Sequence, residues 1–229
     1  MKFFLFFLIF ILASCSSQHT TITYNPDEYI YLDENRNEMK SHEYLKRWRT
    51  KENNLVRWDY IAKDTGRVAT LFEPSYSRYS VSYPKFLEEI KSLTGREYSK
   101  NSVFILRYFY LNDLSSPGNN WNKYKIISRQ KATSRHKKEI EKKYKNIIVL
   151  YFFEKGIQLQ NSPDSKKEYL YLDGENFLRN TLFRNPSFYG SYALIKPNGE
   201  TLVKNGESSL PYMEQHLKTE NWDLFFETD

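Results

Sequence analysis

Two apolar runs limit what most of this chain can fold into. Residues 103–111 and 147–153 are nearly continuous in β-branched, aromatic and leucine side chains. Runs of this length and composition fit strands covered on both faces of a sheet, because a half-exposed strand would alternate. Between them lies a basic, helix-like stretch, residues 126–145. A parallel strand pair needs a crossover of about a dozen residues or more, and this stretch is long enough to supply it. The expectation is an α/β domain in which the two runs are adjacent and parallel.

The flanking segments add elements around that pair. Residues 29–32 read as a strand closed by a turn at 33–37, and Ser41 is placed to cap a helix over 42–48. Residues 55–61 and 68–72 read as a hairpin around Asp64-Thr65-Gly66. Pro84 and Gly95 bracket a helix that carries Phe86, Leu87, Ile90 and Leu93 on one face. After a polar insertion at 161–167 come a helix over 175–183, a hairpin of 192–195 with 201–203, and a last helix over 210–217 capped by Ser208 or Ser209. Beyond it, residues 222–229 form a short apolar tail.

From residue 103 the expected order is β-α-β-α-β-β-α. That order, together with the segment Tyr192-Ala193-Leu194-Ile195-Lys196-Pro197-Asn198-Gly199-Glu200, resembles the thioredoxin-like fold of periplasmic lipoproteins, whose hairpin reads Leu-Ile-Asp-x-x-Gly. The resemblance implies a three-layer thioredoxin-like domain over 100–218, with an N-terminal α+β extension over 26–99 and a tail over 219–229. It fails where the family does its chemistry. The stretch that should hold Cys-x-x-Cys is Asn112-Asp113-Leu114-Ser115-Ser116-Pro117-Gly118, and the position of the family's cis-proline falls at Gly190. What the resemblance implies is therefore a scaffold without the redox reaction.

The start of the chain carries a second resemblance. Met1-Lys2 is followed by an apolar run over 3–13 and then by Leu12-Ala13-Ser14-Cys15. A positive start and a short apolar stretch match an export signal, and the run is too short to span a bilayer, which takes about 20 residues. The tetrad resembles the lipobox of bacterial lipoproteins. It implies a signal peptide over 1–14, cleavage between Ser14 and Cys15, and lipidation of Cys15, with a polar tether over 15–25. Each buried acyl methylene contributes about 0.8 kcal/mol, so more than one chain makes attachment durable. Ser16 after the anchor, by the same resemblance, directs the protein to the outer membrane with its domain facing the periplasm.

Composition narrows the chemistry. Cys15 is the only cysteine of 229 residues, so once it is acylated the domain has no thiol for disulfides, metal binding or nucleophilic attack. The net charge of +6 would raise nucleic acid as a partner in the cytosol, but an exported protein points instead to anionic head groups, acidic glycans or a solvated basic face. The expected partners are the lipid bilayer through Cys15 and an envelope protein.

No residue set assembles into a catalytic, metal or cofactor site. His19, His42, His136 and His216 lack metal-ligand spacing, and a helix dipole accounts for His216. Ser116 and Ser191 lie near glycines without a Gly-x-Ser-x-Gly elbow. Glu88, Glu89, Glu139 and Glu141 give no assignable acid/base pair, and no phosphate loop or dinucleotide-binding glycine pattern is present. Residues 123–145 hold ten Lys or Arg against two Glu, which reads as an exposed crossover helix or as a surface for anionic partners. Tyr76, Tyr79 and Tyr83, interleaved with serines, read as an edge strand or a binding loop. The sequence therefore favours a non-catalytic interaction or scaffold module. A hydrolase of envelope glycan or peptide, and a glycan-binding protein, are the alternatives.

Overall fold

The computed structural model describes residues 29–64, 66–116, 118–218 and 221. The lipobox with Cys15, the tether, His19 and the tail over 222–229 lie outside the described residues.

In chain order the elements are β1 (Tyr29–Leu32), α1 (Ser41–Arg49), β2 (Val56–Ala62), β3 (Gly66–Phe72), β4 (Tyr76–Ser80) and α2 (Tyr83–Thr94). Then follow β5 (Val103–Phe109), β6 (Asn120–Trp121), α3 (Lys123–Lys143), β7 (Ile147–Glu154), β8 (Gln158–Leu159), β9 (Leu170–Asp173) and α4 (Phe177–Thr181). The last are β10 (Ser191–Ile195), β11 (Glu200–Asn205) and α5 (Leu210–Glu214), extended by a 3-10 turn, Gln215–Leu217.

The two apolar runs are neighbouring parallel strands, in register from Val103 opposite Ile147 to Phe109 opposite Phe153. They sit inside a six-stranded sheet of order β4-β11-β10-β5-β7-β9. β5 is flanked by β7 in parallel and by β10 antiparallel, and β10 continues through the expected hairpin into β11. The four inner strands with their crossover α3 have the strand order of the thioredoxin-like fold. Its buried strands explain the absence of alternation in the sequence: β10 is buried at every position.

Helices cover both faces. Phe104, Leu106 and Tyr108 of β5 point to the side of α2 and α4, where Phe86 meets Phe104 edge-on at 5.3 Å and Phe183 stacks on Tyr108 at 4.4 Å. Ile105, Arg107 and Phe109 point to the side of α3 and α5. There Trp121 packs on Phe109 and Phe153, and Ile126 and Ile140 form the buried seam of α3. Burying each such side chain contributes about 1.5–3 kcal/mol.

Residues 29–99 divide in the structure. β1, β3 and β2 form a separate three-stranded sheet, with β1 parallel to β3 and β2 antiparallel to it. This sheet shares a small core of Tyr31, Tyr44, Leu55, Ala69 and Leu71. β4 pairs with β11 at the rim of the large sheet, so the Tyr/Ser segment is an edge strand. α2 lies on the large sheet, burying Tyr83, Phe86, Ile90 and Thr94, and ends at Gly95 in the left-handed conformation.

Several sequence expectations are corrected. Ser41 is the first residue of α1 rather than its cap: Lys40 is the extended boundary residue and no side chain caps the helix. α4 covers only Phe177–Thr181; Asn176, with φ 56°, sets its start, because a helix cannot run through it. Residues 170–173, next to the polar insertion, add an unforeseen edge strand, parallel to β7. The last helix agrees in place, with Ser209 as its cap: its side chain accepts from Tyr212 N at 3.2 Å.

Candidate functional site

The first place to look is the end of β5, where the family resemblance puts a redox centre. The chain leaves β5 through Tyr110 and turns at Asn112, whose φ is 61°. Leu111 N donates to Glu154 Oε2 at 2.8 Å, and Asn112 and Asn119 bond each other twice, at 2.7 and 2.9 Å. Asp113 is buried and accepts from Ser115 N at 2.9 Å and from Ser115 Oγ at 2.6 Å. Burial pushes the Asp113 carboxyl up, while the bonds from Ser115 and the charge of Arg107 pull against it.

Ser115 Oγ in turn accepts from Tyr189 N at 2.6 Å, and Arg107 Nη2 donates to Tyr189 O. The residue before Gly190 is thus held by a side chain at each of its backbone polar groups. Gly190 has φ 72°, and a Cβ there would collide with the carbonyl oxygen of Tyr108. Only glycine fits this approach. The family's cis-proline position is therefore filled by a backbone contact that proline could not make. Behind it, Tyr110 Oη meets Asn185 O and Ser191 Oγ, and Ser191 Oγ meets Ser187 Oγ at 2.8 Å. Ser191 is an internal linker in this network, buried and unsuited to attack a substrate.

The structure places a polar row across the α3/α5 face of the sheet. Register aligns Tyr76 on β4 with Lys204 on β11, Lys204 with Tyr192 on β10, Tyr192 with Arg107 on β5, and Arg107 with Tyr151 on β7. Cation and ring alternate along it. Lys204 Nζ lies 5.0 Å from the Tyr76 ring centre, and the Arg107 guanidinium lies 4.4 Å from that of Tyr192. Burial pushes the Lys204 ammonium down to about 8.

Two cavities open onto this row. The larger, about 950 Å³, lies between the small sheet and the core; Trp48, Tyr76, Phe188, Tyr189, Lys204 and Tyr212 are among its walls. Tyr189 and Tyr212 are 43% and 41% exposed, and among the described residues Tyr124 is the one aromatic ring more exposed than these. Arg57 stands at the inner wall, ion-paired with Asp59 and stacked on Trp48 and Phe188 at 5.1 and 4.7 Å. Phe188 N donates to Arg57 O at 2.8 Å, which ties the small sheet to the loop before Gly190. The smaller cavity, about 290 Å³, lies under α3 and includes Arg107, Arg129, Thr133, Tyr151, Tyr192 and Ser208. Ser208 and Ser209 border both cavities.

The other sequence candidates are not brought together. Glu139 pairs with Arg135 at 2.9 Å, whereas Glu141 pairs with Lys137 and accepts from Val149 N at 3.0 Å, so the two carboxylates serve different partners. His136 lies 3.5 Å from Glu139 on the exposed helix. His216 lies in the last turn, where its ring meets the helix carbonyl Tyr212 O and also Tyr76 Oη, both at 3.2 Å; burial lowers its pKa against those backbone bonds. Among the described residues no three metal-ligating side chains come together, and no helix is long and apolar enough to cross a membrane.

Sequence reasoning missed Arg107, Arg129, Tyr151 and Lys204. A signal for one of them was present: Arg107 is the lone charge inside an otherwise apolar strand. Lone charges in buried strands need a partner or a purpose.

No protein-family model matches the chain, and no curated protein matches it. Among solved structures, the pneumococcal exposed lipoprotein thioredoxin Etrx1 of Streptococcus pneumoniae is 15% identical, aligned over 70% of this chain and 97% of its own, with a TM-score of 0.35. DsbF of Mycobacterium tuberculosis is 10% identical over 51% of this chain and 79% of its own, at 0.34. A secreted M. tuberculosis disulfide oxidoreductase homologous to E. coli DsbE is 9% identical over 56% and 84%, at 0.30. Likeness at these values transfers no chemistry, and the fold assignment stands on the strand order above.

Proposed function

We propose that this chain is a membrane-anchored envelope lipoprotein whose thioredoxin-like domain is a non-catalytic binding module. The Leu12-Ala13-Ser14-Cys15 resemblance supports the anchor, with the outer membrane as its seat. One observation carries the binding role: the loop that would hold a redox pair is bonded shut through Ser115 and Tyr189, and directly beside it the 950 Å³ cleft presents exposed rings. A rigid loop beside an open aromatic cleft suits recognition, since aromatic anchors supply contact area at small entropic cost.

The exposed Tyr189 and Tyr212 rings favour a second reading, in which the occupant is a glycan stacked on them. The test pairs fractionation with crosslinking in native envelopes. The full chain should sediment with membranes and Cys15→Ala should not. A specific crosslinked partner should be lost in both Tyr189→Ala and Tyr212→Ala. A Cys15→Ala variant that stays in the membrane overturns the anchor. A partner indifferent to both cleft substitutions overturns the binding role, and retention of an envelope glycan by the same cleft would select the second reading.

A further inference from the structure

The smaller cavity gathers several buried polar atoms that form no hydrogen bond of normal geometry. Arg107 is 8% exposed; its Nη2 is engaged by Tyr189 O, but its Nη1 is buried with no hydrogen-bond partner. Tyr151 is 1% exposed, and its buried Oη forms no hydrogen bond of normal geometry, Thr133 being the side chain close enough to act on it. The neighbouring Thr133 hydroxyl is already engaged with Arg129 O and Tyr169 Oη, both at 2.9 Å. Ser208 Oγ, at the rim shared with the larger cleft, is the third unpartnered polar atom around this space.

A second cation faces the same space. Arg129 descends from α3 with its guanidinium 5.3 Å from the Phe109 ring and 5.5 Å from the Trp121 ring, and the Arg107 guanidinium also lies 5.3 Å from the Phe109 ring. Neither arginine forms an ion pair with a described carboxylate, and no carboxylate is among the residues lining the cavity. Asp113 acts on Arg107 only at a distance, through its charge. Buried charges are normally paired and buried donors normally satisfied, so one unpaired group would be notable. Two guanidiniums, a phenol and a serine hydroxyl converging on one space supply the charge and the donors that an anion needs.

We propose that this pocket binds the phosphate group of a small soluble phosphate compound. Two formal positive charges match the charge of about −1.5 to −2 on a phosphate monoester near neutral pH, and a guanidinium fork fits its oxygens. Tyr151 and Ser208 supply two further hydroxyl donors. About 290 Å³ holds the phosphate, and the shared rim at Ser208 and Ser209 lets an organic substituent extend into the larger cleft.

The test is calorimetric titration of the full detergent-solubilised chain with inorganic phosphate, with glycerol phosphate, and with phosphatidylglycerol vesicles, against chloride at matched ionic strength. The expected result is saturable binding of one or both soluble phosphates. Tyr151→Phe removes a hydroxyl that forms no hydrogen bond of normal geometry within the protein, so folding should be kept while affinity drops about tenfold or more, the effect of one hydrogen bond to a charged group. Arg129→Gln should abolish binding. No binding above chloride, equal binding by the wild type and both substituted proteins, or binding of the vesicles alone would each overturn the proposal.

Discussion

The two faces of the large sheet are built on opposite terms. On the α2/α4 face, Phe104 packs among Tyr83, Phe86 and Tyr98, and Tyr108 stacks on Phe183 while its hydroxyl donates to Asp173 Oδ2 at 2.9 Å. Asp173 is itself fully used: it also accepts from Leu178 N and Arg179 N, so it starts α4 and closes the face. One strand position away, on the α3/α5 face, Arg107 and Tyr151 stand side by side with unpartnered atoms. Strand β5 thus contributes alternate residues to a satisfied face and to an unsatisfied one. Local rules of burial are broken in natural proteins mainly where function demands it, and within the large sheet the break falls on one side.

The comparison can be broken most forcefully on its satisfied side. Phe104→Ala should cost about 3–5 kcal/mol, the range for truncating a buried aromatic, read as a shift in the urea midpoint. A loss under about 1 kcal/mol would mean the α2/α4 face is not the stabilising one. Asp173→Ala should cost about 1–3 kcal/mol by orphaning Tyr108 Oη and two amides, with loss of helical signal from α4.

On the unsatisfied side the sign should reverse. Arg129→Met exchanges a half-buried cation, its pKa already pushed down by burial and by Arg107, for an apolar side chain of similar reach. Stability in phosphate-free buffer should stay level or rise by about 1–2 kcal/mol. A clear loss would show that Arg129 is structural.

The smallest effect is a pH slope from Lys204. Its folded pKa, about 8, lies below the ordinary 10.5, so between those values the unfolded chain binds more protons. Stability should therefore rise from pH 8 to pH 10.5, with the penalty fully present below pH 8, by about 1 kcal/mol once partial solvent access is allowed for. Lys204→Met should flatten that component in urea titrations at about pH 7 to 10. If the wild-type curve instead falls more steeply than the Lys204→Met curve over that window, the ammonium is not buried as described.

The readable parts of the fold were those set by local pattern. The parallel pair of β5 and β7, the hairpins of β2 with β3 and β10 with β11, and the Pro84–Gly95 helix all follow from apolar runs and turn residues, because burial on two faces and positive φ at glycine leave a direct mark on composition. The absence of any thiol beyond Cys15 is likewise a property of sequence alone. What the sequence did not carry is the candidate site. Tyr76, Lys204, Tyr192, Arg107 and Tyr151 come from five strands, of which only β10 and β11 are neighbours in the chain, and strand register sets them in one row. The same holds for Tyr189, whose exposure depends on the clamp from Ser115 and Arg107. Periodicity tells each strand which residues are buried, but a sheet's neighbours are chosen by long-range pairing, and that choice alone decided which buried polar groups would meet.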